Sequence, residues 1–137
     1  MRVLLLGPER ARLGEAIRAR GDEVVRTEER IAVGDPALDG ADFLISFGYR
    51  HIIPAAMLEP FGPRAINLHI SLLPWNRGAD PNLWSYLEDT PKGVTIHVLD
   101  EGLDTGPIVA QREVADDSDD TLRTSYERLT CEIIGLF

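Results

Sequence analysis

Apolar residues recur along the chain with two different spacings, and these spacings predict alternating strands and helices. Apolar runs of strand length occupy residues 2–6, 22–26, 42–46, 64–70, 93–99 and 107–114. Apolar positions at helical spacing occupy residues 10–20, 52–58, 81–88 and 122–137. This order is typical of an α/β domain in which helices cover both faces of a mostly parallel sheet.

The ends of two helices carry further signals. Gly21 stands where the first helix is expected to stop. Ser118 is predicted to cap the last helix, with Asp119 and Asp120 in its first turn, where the helix dipole favours carboxylates. This role also accounts for the acidic run at 116–120, which lacks the ligand spacing and the glycine of a calcium loop. We therefore predict no metal site.

Composition and charge narrow the class of protein. A chain of 137 residues with 44% hydrophobic and 27% charged residues is expected to fold as one globular domain. Its net charge of −9 disfavours nucleic acid as a partner, because polyanions bind through basic stripes. No apolar run approaches the roughly 18 residues of a membrane helix. The single cysteine, Cys131, excludes an internal disulfide, so we expect a cytoplasmic protein without a membrane partner.

Asn67 and His69 are the strongest chemical signal in the chain. On a strand they would point to the same face, with Cα atoms about 6–7 Å apart. An amide that donates to a developing negative oxygen, beside an imidazole that titrates near neutral pH, suits acyl transfer. Asp104 follows His69 by 35 residues and could supply a carboxylate. From these residues alone, a purely structural role at a strand end stays open. His97 is similarly left as a packed side chain or a supporting residue.

The motifs around this pair resemble those of the folate-dependent formyltransferase family. They are Asn-x-His-x-Ser-Leu-Leu-Pro at 67–74, Arg77-Gly78, Gly93-Val94-Thr95-x-His97, Leu103-Asp104-x-Gly106-Pro107-Ile108 with Gln111, and, more weakly, Gly48-Tyr49-x-x-Ile52-Ile53. The resemblance implies a Rossmann-like formyltransferase fold. It also implies transfer of a formyl group from N10-formyltetrahydrofolate to a primary amine.

The resemblance assigns roles to individual residues. Asn67 and a protonated His69 would hydrogen-bond the oxyanion, His69 would carry the proton of the amine, and Asp104 would keep His69 charged. The implied folate-binding residues are Tyr49, Ile52, Ile53, Glu101, Gly102, Leu103 and Thr105. The implied acceptor-binding residues are Ser71, Trp75, Arg77 and Trp84. For Ser71, capping of the loop backbone is the alternative, and for Trp84 it is helix packing.

The acceptor is predicted from what surrounds the motifs. Family members that formylate glycinamide ribonucleotide hold its phosphate with a glycine-rich turn after the first strand. Here only Gly7-Pro8 follows that strand, so the resemblance disfavours glycinamide ribonucleotide as the acceptor. The segments 75–85 and 101–106 look most like the branch of the family that formylates amino groups on nucleotide-linked sugars. A small-molecule amine and folate are therefore the expected partners.

Three alternatives remain at this stage. A formyltetrahydrofolate hydrolase would use the same three residues with water as acceptor. A methionyl-tRNA formyltransferase-like protein would share the motifs. The third is a folate- or nucleotide-binding module without catalysis. We expect a single catalytic domain over residues 1–137, shortened at its C-terminus relative to the family, and leave a homodimer open.

Overall fold

The computed structural model describes residues 1–137 and contains one six-stranded sheet in the order β2-β1-β3-β4-β5-β6. The strands are β1 (Arg2–Leu6), β2 (Glu23–Thr27), β3 (Phe43–Ser46), β4 (Ala65–His69), β5 (Gly93–Val98) and β6 (Ile108–Glu113). The helices are α1 (Ala11–Ala19), α2 (Ala55–Leu58), α3 (Pro81–Leu87) and α4 (Leu122–Leu136). Short 3₁₀ turns cover Pro36–Leu38 and Gly62–Arg64.

The sheet is parallel on one side and antiparallel on the other. β1 pairs in parallel with β2 and β3, and β3 pairs in parallel with β4. β5 pairs antiparallel with both β4 and β6. The connection from β5 to β6 is a short loop without a helix, which suits only an antiparallel pair. The predicted α/β fold with a mostly parallel sheet is confirmed, with this antiparallel edge as an addition.

Helices cover both faces, as predicted, because neighbouring strand residues point in opposite directions. On one face, side chains of α1 and α4, including Leu13 and Ile133, pack against Val3 and Leu5 of β1. On the other face, Met57 and Leu58 of α2 belong to a second core with Leu4, Leu6, Ile31, Leu44, Phe61 and Ala65. The central strands are therefore buried on both sides, which fixes the ends of β4 and β5 where the candidate site lies.

The start of one helix and the N-cap of another differ from the prediction. α2 begins at Ala55 and not at residue 52, because Pro54 has an extended backbone at the N-cap. The prediction that Ser118 caps the last helix is wrong. Thr121 is the N-cap, and it exchanges hydrogen bonds with Thr124: each backbone N–H donates to the other residue's hydroxyl, at 2.9 and 3.1 Å. Two backbone donors at the start of the helix are satisfied in this way.

Asp119 and Asp120 consequently precede α4 and do not form its first turn. The carboxylate of Asp120 accepts from the Thr124 hydroxyl at 2.9 Å and pairs with Arg128. No group of three His, Cys, Asp or Glu side chains is arranged to hold a metal ion. None of the helices has the length and apolar character needed to cross a membrane.

Candidate active site

Asn67, His69, His97 and Asp104 meet at one end of β4 and β5. Asn67 and His69 lie on the same side of β4, and the antiparallel register places His97 directly opposite Asn67. The loop after β5 brings Asp104 back over these side chains, with its backbone in the left-handed region at φ 52°. The three residues predicted as catalytic are therefore neighbours in space, and His97 joins them.

Asn67, His97 and Asp104 form a nearly equilateral triangle of polar atoms. Nδ2 of Asn67 donates to Oδ1 of Asp104 at 3.0 Å, and Nε2 of His97 lies 3.3 Å from Nδ2 and 3.2 Å from Oδ1. Both neighbours thus lie on the same side of Nδ2. Because the two amide hydrogens point well apart, one N–H of Asn67 stays free to donate to another group.

His69 is buried, with 6% of its surface exposed, and it has a different partner at each ring nitrogen. Nε2 lies 3.0 Å from the backbone carbonyl of Asn76, and Nδ1 lies 3.6 Å from Oδ2 of Asp104. A carbonyl only accepts, so Nε2 carries the hydrogen in the neutral ring. Nδ1 then holds a free lone pair on the side of Asp104.

The ionisation of His69 and Asp104 follows from their surroundings. Burial lowers the pKa of His69 below its ordinary value of 6.5, and this effect outweighs the Asp104 charge and the hydrogen bond to Asn76. Burial alone would raise the pKa of Asp104, but the hydrogen bond with His97, the charge of His69 and the Gly78 N–H together lower it to about 2. The lowered pKa of His69 does not support the expectation that Asp104 keeps His69 protonated, and it favours a neutral ring beside an ionised carboxylate at neutral pH.

The loop at residues 75–78 holds the candidate catalytic side chains through its backbone. The N–H of Gly78 donates to Oδ2 of Asp104 at 2.8 Å. Gly78 has φ 89°, and a Cβ there would lie 3.1 Å from Leu103, so this position favours glycine on both counts. The hydroxyl of the buried Ser71 donates to the carbonyl of Trp75 at 2.8 Å. Of the two roles open for Ser71, the structure favours loop capping.

A cleft of about 650 Å³ lies beside this site, between α2 and the loop after β5. It is lined by Ala55, Ala56, Leu58, Glu59, Gly62, Val98, Leu99, Asp100 and Glu101. Of the predicted folate-binding residues, only Glu101 is among them. The alanines and Asp100 were missed, although their place next to the Gly48–Ile53 and 101–105 motifs was a usable signal.

The other predicted folate-binding residues have separate places. The Gly102 N–H and the Thr105 hydroxyl both bind the carboxylate of Asp100, at 3.0 and 2.8 Å, and so shape the loop. The Tyr49 hydroxyl donates to the Glu29 carbonyl at 2.8 Å. Leu103 packs on Gly78, Ile53 is half-buried, and Ile52 is 85% exposed. Their contact with folate stays a prediction.

A second cleft, of about 360 Å³, is lined by Asn76, Arg77, Trp84 and Glu88. Arg77 and Trp84 were predicted to bind the acceptor. Trp84 is 48% exposed and faces this cleft, which favours a binding role over helix packing. Trp75 is 44% exposed but does not line it. Asn76 and Glu88 were missed, since neither position carries a spacing signal.

Comparison with known proteins decides the family. The model of the family described as formyl transferase matches residues 23–132. The chain belongs to the formyltransferase family. The fold of the chain superposes on the crystal structure of the formyltransferase PseJ from Anoxybacillus kamchatkensis with a TM-score of 0.96 and 56% identity. That match covers 100% of the chain and 72% of PseJ, whose structure holds UDP-4,6-dideoxy-4-formamido-L-AltNAc and tetrahydrofolate.

Curated relatives match over a shorter stretch. The dTDP-4-amino-4,6-dideoxyglucose formyltransferase of Mycobacterium bovis is 42% identical over 88 residues, which are 64% of this chain and 37% of that protein. The methionyl-tRNA formyltransferase of Thermodesulfovibrio yellowstonii is also 42% identical, over 90 residues, which are 65% of this chain and 29% of that protein. The chain thus spans less than two fifths of the length of either relative, and its equal identity to both does not indicate which acceptor it uses.

Proposed function

We propose that this formyltransferase transfers a formyl group from N10-formyltetrahydrofolate to the primary amine of a nucleotide-linked amino sugar. One observation carries the proposal: Asn67, His69 and Asp104 converge in a chain that is 56% identical, over its whole length, to PseJ. PseJ was crystallised with a UDP-linked formamido sugar and tetrahydrofolate.

The proposed chemistry uses the neutral state of His69. N10-formyltetrahydrofolate supplies an activated formyl carbon. The free N–H of Asn67 would donate to the formyl oxygen as negative charge develops there. As the new carbon–nitrogen bond forms, Nδ1 of His69 would take a proton from the amine, and Asp104 would stabilise the resulting positive ring across 3.6 Å. That proton would then pass to the folate nitrogen as its bond to the formyl carbon breaks.

The larger cleft is the proposed folate site. Its side chains combine an apolar surface from Ala55, Ala56 and Leu58 with the carboxylates of Asp100 and Glu101. Carboxylates accept hydrogen bonds from ring N–H and amino groups such as those of a reduced pterin. The cleft borders the loop that continues to Asp104, so a folate bound there would have its reactive end near the catalytic side chains.

The smaller cleft is the proposed acceptor site. The guanidinium of Arg77 forms no ion pair with any carboxylate of the chain, and it is therefore free to bind a diphosphate. The indole of Trp84 offers a face on which a base or sugar ring can stack. Folate and a small-molecule amine, rather than nucleic acid, are the proposed partners, and the cytoplasm is the proposed compartment. A homodimer stays a prediction that a solution mass measurement tests.

The test is an acceptor panel with the purified chain. N10-formyltetrahydrofolate is incubated with a UDP-linked 4-amino-4,6-dideoxy sugar, a dTDP-linked 4-amino sugar, glycinamide ribonucleotide or methionyl-tRNA, and products are identified by mass. We expect an N-formyl nucleotide sugar and an equal amount of tetrahydrofolate, with His69→Ala as the inactive control. Tetrahydrofolate released without any amine would instead identify a hydrolase. Folate binding without turnover would identify a non-catalytic module.

A further inference from the structure

Asn76 makes the contact that decides which nitrogen of His69 carries the hydrogen. Its backbone carbonyl accepts from Nε2 of His69 at 3.0 Å. For the carbonyl to point there, the Asn76 backbone adopts φ 55°, in the left-handed region that asparagine tolerates better than most residues. The position of this one carbonyl therefore depends on what holds Asn76.

The side chain of Asn76 is anchored at both ends. Its Nδ2 donates to Oε2 of Glu88 at 3.0 Å, and its Oδ1 accepts from the Thr90 hydroxyl at 2.7 Å. Both anchors are tied to the end of α3, since the Glu88 N–H donates to the Trp84 carbonyl and the Thr90 N–H to the Ser85 carbonyl. We call Glu88, Asn76 and Thr90 the Asn76 latch.

We propose that the Asn76 latch positions His69: it holds the loop carbonyl that fixes the Nε2–H tautomer and so leaves Nδ1 as the proton acceptor facing Asp104. The catalytic consequence rests on the proposed function, whereas the tautomer itself is a property of the free protein.

Competition between two acceptors makes the latch necessary. The neutral His69 ring has one N–H, and it lies between the Asn76 carbonyl at Nε2 and the ionised Asp104 at Nδ1. A carboxylate is the stronger acceptor, but at 3.6 Å it is beyond hydrogen-bond distance, whereas the carbonyl is at 3.0 Å. If the carbonyl moves away, the Nδ1–H tautomer that donates to Asp104 becomes favoured. Nδ1 can then no longer take a proton.

The rest of the loop does not replace the latch. The Trp75 carbonyl accepts from the Ser71 hydroxyl, and the Gly78 N–H donates to the Asp104 carboxylate. The loop therefore keeps these two hydrogen bonds when Asn76 is altered. Neither support acts on the carbonyl of Asn76. Loosening the latch is therefore expected to change the state of His69 more than the stability of the fold.

The test measures the tautomer directly by nuclear magnetic resonance on protein carrying ¹⁵N-labelled histidine. The chain has three histidines, so the ring signals of His69 can be assigned by their loss in His69→Gln. In the unaltered protein near neutral pH we expect a protonated Nε2 and an unprotonated Nδ1. In Thr90→Val, which removes the hydroxyl that donates to Asn76, and in Asn76→Gly, which keeps the left-handed backbone, we expect Nδ1–H to become the major form.

Two matched variants serve as controls. Asp89→Asn changes the residue between the two anchors, whose side chain makes no hydrogen bond, and should leave the ring signals unchanged. Glu88→Gln keeps an oxygen that accepts from Asn76 and should retain more of the Nε2–H form than Glu88→Ala.

Thr90 does not line the acceptor cleft, so Thr90→Val should lower kcat by at least about tenfold with little change in KM.

Either of two results would overturn the proposal: an Nδ1–H form of His69 in the unaltered protein, or an unchanged Nε2–H form in both Thr90→Val and Asn76→Gly. Because the spectra need no substrate, they separate this proposal from the proposed function. A latch-dependent tautomer in a protein that forms no formamide would support the positioning and contradict the transferase. Formamide synthesis with a tautomer that does not depend on the latch would support the transferase and contradict the positioning.

Discussion

Nδ2 of Asn67 donates to Oδ1 of Asp104 at 3.0 Å, which fixes the orientation of the Asn67 amide. Rotation of the amide by half a turn would place the side-chain oxygen of Asn67 against Oδ1 of the ionised Asp104, and neither oxygen can donate a hydrogen bond. The carboxylate thus keeps Nδ2 of Asn67, with its free N–H, directed toward the site, so the amide does not have to move during the reaction. Preorganised donors of this kind are among the largest contributions to catalysis of acyl transfer.

Loss of the Asn67 amide should therefore reduce turnover strongly. We expect Asn67→Ala to lower kcat by about 100- to 1,000-fold with little change in the circular dichroism spectrum. His69→Ala and Asp104→Ala should also lose most activity while remaining folded. Arg123→Gln, at a side chain that is 87% exposed on α4, is the surface control. Near-normal kcat in any of the three alanine variants would remove that residue from the mechanism.

His69 should titrate below its ordinary pKa of 6.5, because burial disfavours the charged ring. Only the neutral ring can accept a proton, so kcat should fall as the pH drops through this lowered pKa. Since the Asp104 charge opposes the effect of burial, Asp104→Asn should lower the pKa of His69 further. Titration of the histidine rings by nuclear magnetic resonance measures the pKa of His69 in the parent protein and in Asp104→Asn. A His69 pKa above 6.5 in the unaltered protein would contradict the proposed base.

Asp104 should also make stability depend on pH. Its pKa falls from 3.8 in the unfolded chain to about 2 in the folded protein, so the unfolded state binds more protons between these values. The ionised form therefore contributes about 2 kcal/mol to the free energy of unfolding above about pH 4, and this contribution disappears as the pH falls toward 2.

Urea unfolding of the parent protein and of Asp104→Asn, at pH 5 and at pH 2.5, measures this contribution. His69 adds a loss of the same sign below about pH 6.5, because its folded pKa is also lowered, and this loss is larger in Asp104→Asn, where the raising effect of the Asp104 charge is absent. Both proteins are therefore also compared in a His69→Gln background, which removes the His69 contribution. The difference between the two proteins should shrink on acidification. A difference that stays constant would place the Asp104 carboxylate in solvent.

Much of the fold was predictable from local patterns, because buried strands and amphipathic helices differ in the spacing of their apolar residues. Val3 to Leu6 illustrates this, since a run that is apolar at every position indicates a strand buried on both faces. The residue that caps α4 was not predictable in the same way. Ser118 and Thr121 are both residues that cap helices, and only the reciprocal bonds of Thr121 with Thr124 distinguish them.

The candidate site was predictable in its residues but not in its charges. Spacing on a strand placed Asn67 beside His69, and the family resemblance added Asp104. The neutral state of His69 depends on burial by the whole fold, and its tautomer depends on the Asn76 carbonyl. Neither can be recognised from the residues next to His69 in the sequence. The cleft beside α2 was missed although Ala55 and Ala56 follow the Gly48–Ile53 motif, because the loop that lines the other side of the cleft is distant from them in the sequence.

Gly78 should be sensitive to a single added methyl group. Gly78→Ala meets both a strained φ of 89° and the Leu103 side chain at 3.1 Å, so the loop should shift and weaken the hydrogen bond to Asp104. We expect the pKa of Asp104 to rise toward its ordinary value and kcat to fall. Gly34→Ala is the matched control, with φ 84° and open space around the new Cβ. Equal effects of both variants on the Asp104 titration would exclude a specific role for Gly78.

Filling the cleft beside α2 should weaken folate binding without unfolding the protein. Ala56 is exposed and lines the cleft, so Ala56→Phe adds bulk where the proposed pterin would lie and removes no core contact. We expect the Kd for tetrahydrofolate, measured by calorimetry, to rise by about tenfold or more, which corresponds to a loss of at least about 1.4 kcal/mol of binding free energy. Ala32→Phe, exposed and outside the cleft, should bind as the parent does. Unchanged binding by Ala56→Phe would move the folate site elsewhere on the molecule.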